Sequence, residues 1–261
     1  EITHQEEVTT LGAFPIGLDV DKILAEVSEG KTLEQDPNHD DLYQRIRNDR
    51  GAGRTVFGGL ERCDYTKGLL ERLGIFCHVL DNLKKSGKDG RFYQITAPSR
   101  HENPDYRNLN DLLAKEVIHT NGMLGGEYVF HVAEGISSPQ NYRFMKEVDV
   151  MLVTPLEDGM NLVAFEYILS QKYKRPQARG FLVLGTSGAS RVLKKKGFGE
   201  QDGIVYVNTM KAKEAGEKTT AALKKGGRLS ERVIDYVVRE HRVDDWAERN
   251  IEAILNCKAA P

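Results

Sequence analysis

The sequence predicts an α/β fold, a parallel sheet with helices on both faces, and three observations carry that prediction. From Arg54 onward, short apolar runs alternate with stretches of helical spacing, the rhythm of strands joined by crossover helices. Two of the runs, residues 148–153 but for Asp149 and residues 180–184, are apolar, as strands buried on both faces are. The polar residues suited to chemistry, Arg62, Lys67, Arg100 and Asp158, fall just after strands, where such sheets bind ligands.

The elements follow in order. Residues 8–18 alternate loosely and read as a strand; Asp19 then caps a helix over 20–28. Residues 30–38 are polar and break the pattern, and 40–48 form a short charged helix. A strand at 55–60 leads through a polar loop, 61–68, into a helix at 69–83, with Leu70, Leu73, Phe76, Cys77 and Leu80 at helical spacing. After a turn at 87–90 come a strand at 92–97 and a long helix over 106–120 that stops at Asn121-Gly122. A strand at 128–132 precedes a helix at 139–146 with Pro in its first turn. The strand at 148–153 and a helix at 160–169 follow, then the strand at 180–184, a Gly-punctuated turn at 185–190 and a strand at 203–207. Helices fill much of 211–255.

Composition narrows the class of function. Of the 261 residues, 29% are charged and 39% apolar, and the formal net charge is −2, so neither a nucleic-acid nor a membrane-surface signature is present. No apolar run approaches the roughly 20 residues of a membrane span. The first residues, EITHQEEV, lack a Met and an apolar core, so a processed chain or an excised piece is expected. Cys63, Cys77 and Cys257 are odd in number and lack metal-ligand spacing, which predicts reduced thiols and a cytoplasmic location.

The central stretch is residues 148–169. Its strand leaves through Leu156-Glu157-Asp158-Gly159 into a helix, and a strand turning sharply into a helix offers free backbone N–H groups to an anion. Asp158 and Glu166 bracket the helix start, eight residues apart. That is about 12 Å along a helix, a spacing suited to the sugar and ribose ends of a nucleotide-sugar. An ordinary βα unit with a capping Asp and a solvated Glu explains the same residues. The gathering of polar candidates at strand ends favours function.

Arg62 and Lys67 flank one such loop and could hold a diphosphate through charge-assisted hydrogen bonds; a pair of surface cations is the alternative. Asp64 could pair with Lys67 or cap the helix, and Arg100 could meet an anionic substrate or simply lie at the surface. Asp36, His39, Asp40 and Asp41 are explained by turn and N-cap chemistry, so no metal is expected. Residues 185–190 lack the Gly-Lys-Ser/Thr ending of a phosphate-binding loop, and Gly51-Ala52-Gly53 precedes a strand, so no dinucleotide fingerprint stands here. No Ser/His/Asp order and no Cys/His nucleophile pair is evident. His131, in an apolar strand, reads as a packed core residue.

Four segments carry a resemblance. Glu61-Arg62-Cys63-Asp64-Tyr65-Thr66-Lys67-Gly68 resembles the E-R-x-D-Y-[ST]-K-G motif of the trehalose-6-phosphate synthase family. Residues 149–164, DVMLVTPLEDGMNLVA, are similar to that family's D-V-x-L-V-T-P-L-R-D-G-M-N-L-V-A, and residues 13–19, AFPIGLD, to its A-F-P-I-G-I-D. Ala97-Pro98-Ser99-Arg100 resembles its A-P-[ST]-x-R turn with shortened spacing. The match covers most of the chain and weakens after Ser187.

The resemblance implies the C-terminal, Rossmann-like half of a two-Rossmann-domain retaining glucosyltransferase. Residues 1–53 would be a lead-in segment and interdomain connection, and 54–261 the nucleotide-sugar-binding domain with C-terminal helices. By position, Arg62 and Lys67 would grip the donor diphosphate and Asp158 the sugar hydroxyls. The backbone of Gly159, Met160, Asn161 and Leu162 would meet sugar and phosphate, and Glu166 would hold the ribose. Arg100 would contribute to the acceptor phosphate, and residues 131–135 would lie near the uracil. The implied substrates are UDP-glucose and a sugar phosphate such as glucose 6-phosphate, with no metal and no other cofactor, and with the N-terminal acceptor domain as the missing partner. The sequence departs from the family in three places: Glu157 replaces an Arg, Phe165 a Lys, and residues 185–190 a Ser-Glu-Phe-Ala-Gly-like turn. A catalytically silent homologue that binds nucleotide-sugar or a partner subunit is the alternative, as is a synthase of glucosylglycerol phosphate or pseudo-sugars.

Overall fold

A computed structural model describes residues 2–4, 7–9, 12–28, 40–100 and 102–256. Six parallel strands form the central sheet: β3 (Thr55–Arg62), β4 (Gly90–Ala97), β5 (Val129–Val132), β6 (Val150–Val153), β7 (Phe181–Leu184) and β8 (Ile204–Tyr206), in spatial order β5-β4-β3-β6-β7-β8. The order runs outward in both directions from the β3–β6 pair, so the switch point lies there, and the loops leaving those two strands border the crevice.

Strand periodicity sorts the core into two layers. Val56, Tyr93, Ile95, Met151, Val153, Leu182, Leu184 and Ile204 face one cluster. Phe57, Phe92, Val150, Leu152, Phe181, Val183 and Val205 face the other. Alternate residues are thus buried on opposite faces, which is why β6 and β7 read as unbroken apolar runs. The first layer is covered by α1 (Val20–Ser28), α2 (Asp40–Gly51), α5 (Ser138–Glu147), α6 (Leu162–Ser170), α7 (Gly188–Lys195) and α9 (Glu231–Glu240). The second is covered by α3 (Leu69–Lys84), α4 (Pro104–Leu124) and α8 (Ala212–Lys224). A last helix, α10 (Val243–Asn256), buries none of its residues fully. No helix among the described residues is long and apolar enough to cross a membrane.

Several expectations need correction. Residues 8–18 are not one strand: β2 (Glu7–Thr9) pairs antiparallel with β1 (Ile2–His4), apart from the main sheet. Residues 12–17 carry no ladder, and Leu18 makes a single parallel bridge to Arg242. The long helix does not stop at Asn121-Gly122. It runs to Leu124 and ends on Gly125 in the left-handed region, while the Asn121 side chain reaches out to Tyr128 and Val129. The helix of the central stretch starts at Leu162, because Asn161 at φ 62° cannot be helical; its side chain instead accepts from Ala164 N.

Residues 185–190 hold the start of α7, which the sequence reading missed. Ser187 is its N-cap, its Oγ accepting from Ser190 N while Ser190 Oγ accepts from Ser187 N. Ser187→Ala is expected to cost about 1 kcal/mol, read as a shift in the urea midpoint.

Asp36, His39 and Cys257 lie outside the described residues, and Cys63 and Cys77 are free thiols.

Candidate functional site

Glu61 and Arg62 end β3, and burial separates them: Glu61 is buried and Arg62 exposed. The chain then makes a 3-10 turn over Tyr65–Lys67, held by Asp64, whose carboxylate accepts from Thr66 N and Thr66 Oγ1 at 3.0 Å each. Burial works against the Asp64 charge, but the two Thr66 bonds, with Arg100 and Lys67 nearby, hold its carboxyl below the ordinary range. Asp64 is therefore the cap of the turn. Gly68 follows at φ +61°, and a side chain there would run into the Thr154 carbonyl. That close approach joins the loop after β3 to the loop after β6, as does the bond from Leu156 N to Thr66 O.

The join brings Lys67 against Asp158. Their ion pair is half-buried, with side chains 13% and 14% exposed, and Lys67 Nζ also lies 3.7 Å from Glu61 Oε2. Asn161 ties the carboxylates together, donating through Nδ2 to Glu61 Oε1 at 3.2 Å and to Asp158 Oδ2 at 3.1 Å. Asp158 Oδ1 accepts from Met160 N, and the Asp158 and Met160 carbonyls accept from the first N–H groups of α7, Gly188 and Ala189. The start of α7 thus braces this loop, and its N–H groups are occupied. At the start of α6, Leu162 and Val163 have no intrahelical acceptor for their N–H groups.

Beneath the pair lies Arg72, fully buried on α3. Its Nε donates to Thr154 Oγ1, Nη1 to Gln94 Oε1 and Nη2 to the Lys67 carbonyl; Nη2 also stands 3.5 Å from Glu61 Oε1. Burial pushes the Glu61 carboxyl above its ordinary value, against the pull of Arg72, Lys67 and Asn161. Glu166, on the first turns of α6, is pushed up to about 7 by burial and then by the charge of Glu61. Glu61 and Arg72 were not among the residues singled out from sequence. One signal was present for Arg72: it falls on the apolar face of α3, between Leu69, Leu73 and Phe76.

Of the expected site residues, the structure brings together Lys67, Asp158 and Asn161, with Glu166 close enough to feel Glu61. Gly159 is exposed, Met160 and Leu162 half-buried, at the same corner. Arg62 and Arg100 do not join this network. Arg100, at φ 45°, donates to Tyr106 Oη at 2.6 Å. His131 is half-buried on the edge strand β5, its Nε2 without a hydrogen-bond partner among the described residues and its basicity lowered by burial, and residues 133–135 are exposed.

The sequence departures also find their places. Glu157 pairs with Arg191 of α7, both well exposed, so its charge is answered outside the network. Phe165 is buried and stacks on His241, ring centroids 4.2 Å apart.

The profile of glycosyltransferase family 20 matches residues 1–256. The chain belongs to glycosyltransferase family 20. It is 32% identical over 264 residues to the trehalose-6-phosphate synthase of Mycobacterium avium (strain 104), an alignment covering 97% of this chain and 49% of that protein. A UDP-forming α,α-trehalose-phosphate synthase from Burkholderia xenovorans superposes with a TM-score of 0.80 at 25% identity, over 98% of this chain and 55% of the other. A structure from the same organism in complex with glucose-6-phosphate gives 0.76 at 25% identity, over 94% and 52%. The Escherichia coli protein bound with UDP-2-fluoro glucose gives 0.75 at 26% identity, over 93% and 51%. The chain thus spans about half the length of the family 20 proteins it matches, and shares their Rossmann-like α/β fold.

Proposed function

We propose that the chain is the nucleotide-sugar-binding half of a retaining glucosyltransferase, an α,α-trehalose-6-phosphate synthase using UDP-glucose and glucose 6-phosphate. The observation that carries this reading is the Lys67–Asp158 pair at the carboxyl ends of β3 and β6, bordered by Asn161, Glu166 and the start of α6. Family relatives supply the substrate class: one is bound with UDP-2-fluoro glucose and another with glucose-6-phosphate.

In this reading Lys67 and the exposed Arg62 receive the diphosphate, and the N–H groups of Leu162 and Val163 add neutral donors. Asp158 exchanges part of its bond to Lys67 for the hydroxyls of the donor sugar. The acceptor hydroxyl attacks the anomeric carbon on the face that the diphosphate leaves. One C–O bond breaks, another forms, and the departing phosphate takes the acceptor proton. Stabilising that departing charge is the main task of the protein, and fixed cations suit it. Arg100, held on Tyr106, meets the acceptor phosphate only with the other half of the enzyme present. No metal or further cofactor enters this scheme.

Calorimetric titration with UDP and UDP-glucose tests the reading. Binding of both is expected; no heat with either at millimolar ligand sinks it. Glu166 adds a pH signature. Its carboxyl is near 7 in the folded chain, and hydrogen bonds from ribose hydroxyls favour the ionised form. UDP affinity is therefore expected to rise about tenfold between pH 6 and 8, and Glu166→Gln to flatten that rise. The same shift runs the other way for stability. A carboxyl raised in the native state contributes stability below its unfolded value near 4.5, and this is lost as pH climbs towards 7, by up to about 3 kcal/mol.

A further inference from the structure

A second charged feature lies at the opposite end of the sheet. The amino ends of β3, β6 and β7 border an open hollow of about 330 Å³ walled by Arg50, Arg54, Arg179 and Arg228, with Asp149 the one carboxylate on its lining among the described residues. Arg50 and Arg54 have carboxylate partners: Glu147 and Asp149 for the first, Asp49 and Asp89 for the second. The other two are under-compensated. Arg228 donates through Nε and Nη1 to the neutral carbonyls of Gln177 and Gly226, and among the described residues no carboxylate reaches it. Among the described residues, Arg179 has a side chain only 5% exposed, an Nε with no acceptor and one carboxylate partner, Glu231, which is shared with Lys172. A buried guanidinium with an unmade bond is costly unless something supplies the acceptor.

We propose that this hollow is a binding site for a small phosphomonoester dianion, separate from the donor crevice. The planar forks of Arg179 and Arg228 match phosphate oxygens, which present several acceptors to converging N–H groups. The volume admits one small molecule, in the lower range of ligand pockets. With a formal net charge of −2 the chain carries no overall cationic excess. The proposal does not rest on the function assigned to the crevice.

The test is calorimetric titration of the chain with inorganic phosphate, then glucose 6-phosphate, at pH 8 in 150 mM NaCl. The variants are Arg228→Ala, Arg228→Glu and Lys67→Ala. Binding with a dissociation constant of about 1 mM or tighter is expected to survive Lys67→Ala, weaken about fivefold or more in Arg228→Ala and vanish in Arg228→Glu. Should Lys67→Ala fail to fold, parent and Arg228→Glu titrations are compared directly, with one site expected to disappear. Phosphate binding that Arg228→Glu leaves unchanged would overturn the proposal. So would binding lost with Lys67 alone, and so would no binding in salt.

Discussion

Replacing Lys67 with alanine is expected to weaken UDP binding by about 30-fold or more, at least about 2 kcal/mol. The size follows from what surrounds the amine. Lys67 is 13% exposed and faces Asp158 and the almost fully buried Glu61. Without it, two carboxylates remain at the place proposed for a diphosphate, with Glu166 behind them. The site then repels the ligand it would otherwise hold, so both lost attraction and new repulsion contribute. Uridine carries no phosphate and is the control: its affinity should change little. Equal losses for UDP and uridine would mean that the loop has collapsed, and an unchanged UDP affinity would place the diphosphate elsewhere. Lys67→Arg keeps the charge but not the compact geometry and should restore only part of the binding.

Replacing Arg72 with alanine is expected to destabilise the fold by about 3–5 kcal/mol, the usual cost of removing one partner from a buried ion pair. Arg72 is fully buried and joins four groups: Thr154 of the loop after β6, Gln94 of β4, the Lys67 carbonyl and Glu61 of β3. Deleting it leaves Glu61 charged or forces it to take up a proton, and opens a cavity on α3. Glu61→Gln with Arg72→Met should recover much of the loss, because neither then buries an unpaired charge. Urea denaturation of the two singles and the double gives the coupling directly. A coupling near zero would show that the pair does not act as a unit. Since Arg72 also holds the Lys67 carbonyl, Arg72→Ala should weaken UDP binding as well, although it lies beneath the proposed ligand.

Much of the fold could be read from local chemistry. Unbroken apolar runs such as Val150–Val153 and the helical spacing of Leu69, Leu73 and Phe76 follow from burial on both faces of one sheet. The misses have a common cause, in that side chains answered to distant partners. Asn121 resembles a helix stop but serves the backbone of β5 from within α4. Residues 185–190 have turn composition, yet Ser187 and Ser190 cap a short helix whose first N–H groups find acceptors in the Asp158–Met160 loop. The site divides the same way. Motifs single out Lys67 and Asp158 separately, but nothing local says that residues 91 positions apart form one ion pair. Glu61 sits inside the same motif, and its weight comes from burial beside Arg72, which only the packing reveals.

The bridge between Leu18 and Arg242 has a mechanical consequence. Leu18 N donates to His241 O and Val243 N to Leu18 O, while the Trp246 indole reaches Phe14 O and Arg242 pairs with Asp21. The two segments run parallel here. A pull applied through residue 12 and residue 256 therefore drags them past each other lengthwise, loading these bonds together instead of opening them one by one. This clasp carries the tension before the sheet does. A tug transmitted along the chain from either side would be spent there, leaving the Lys67–Asp158 corner at rest.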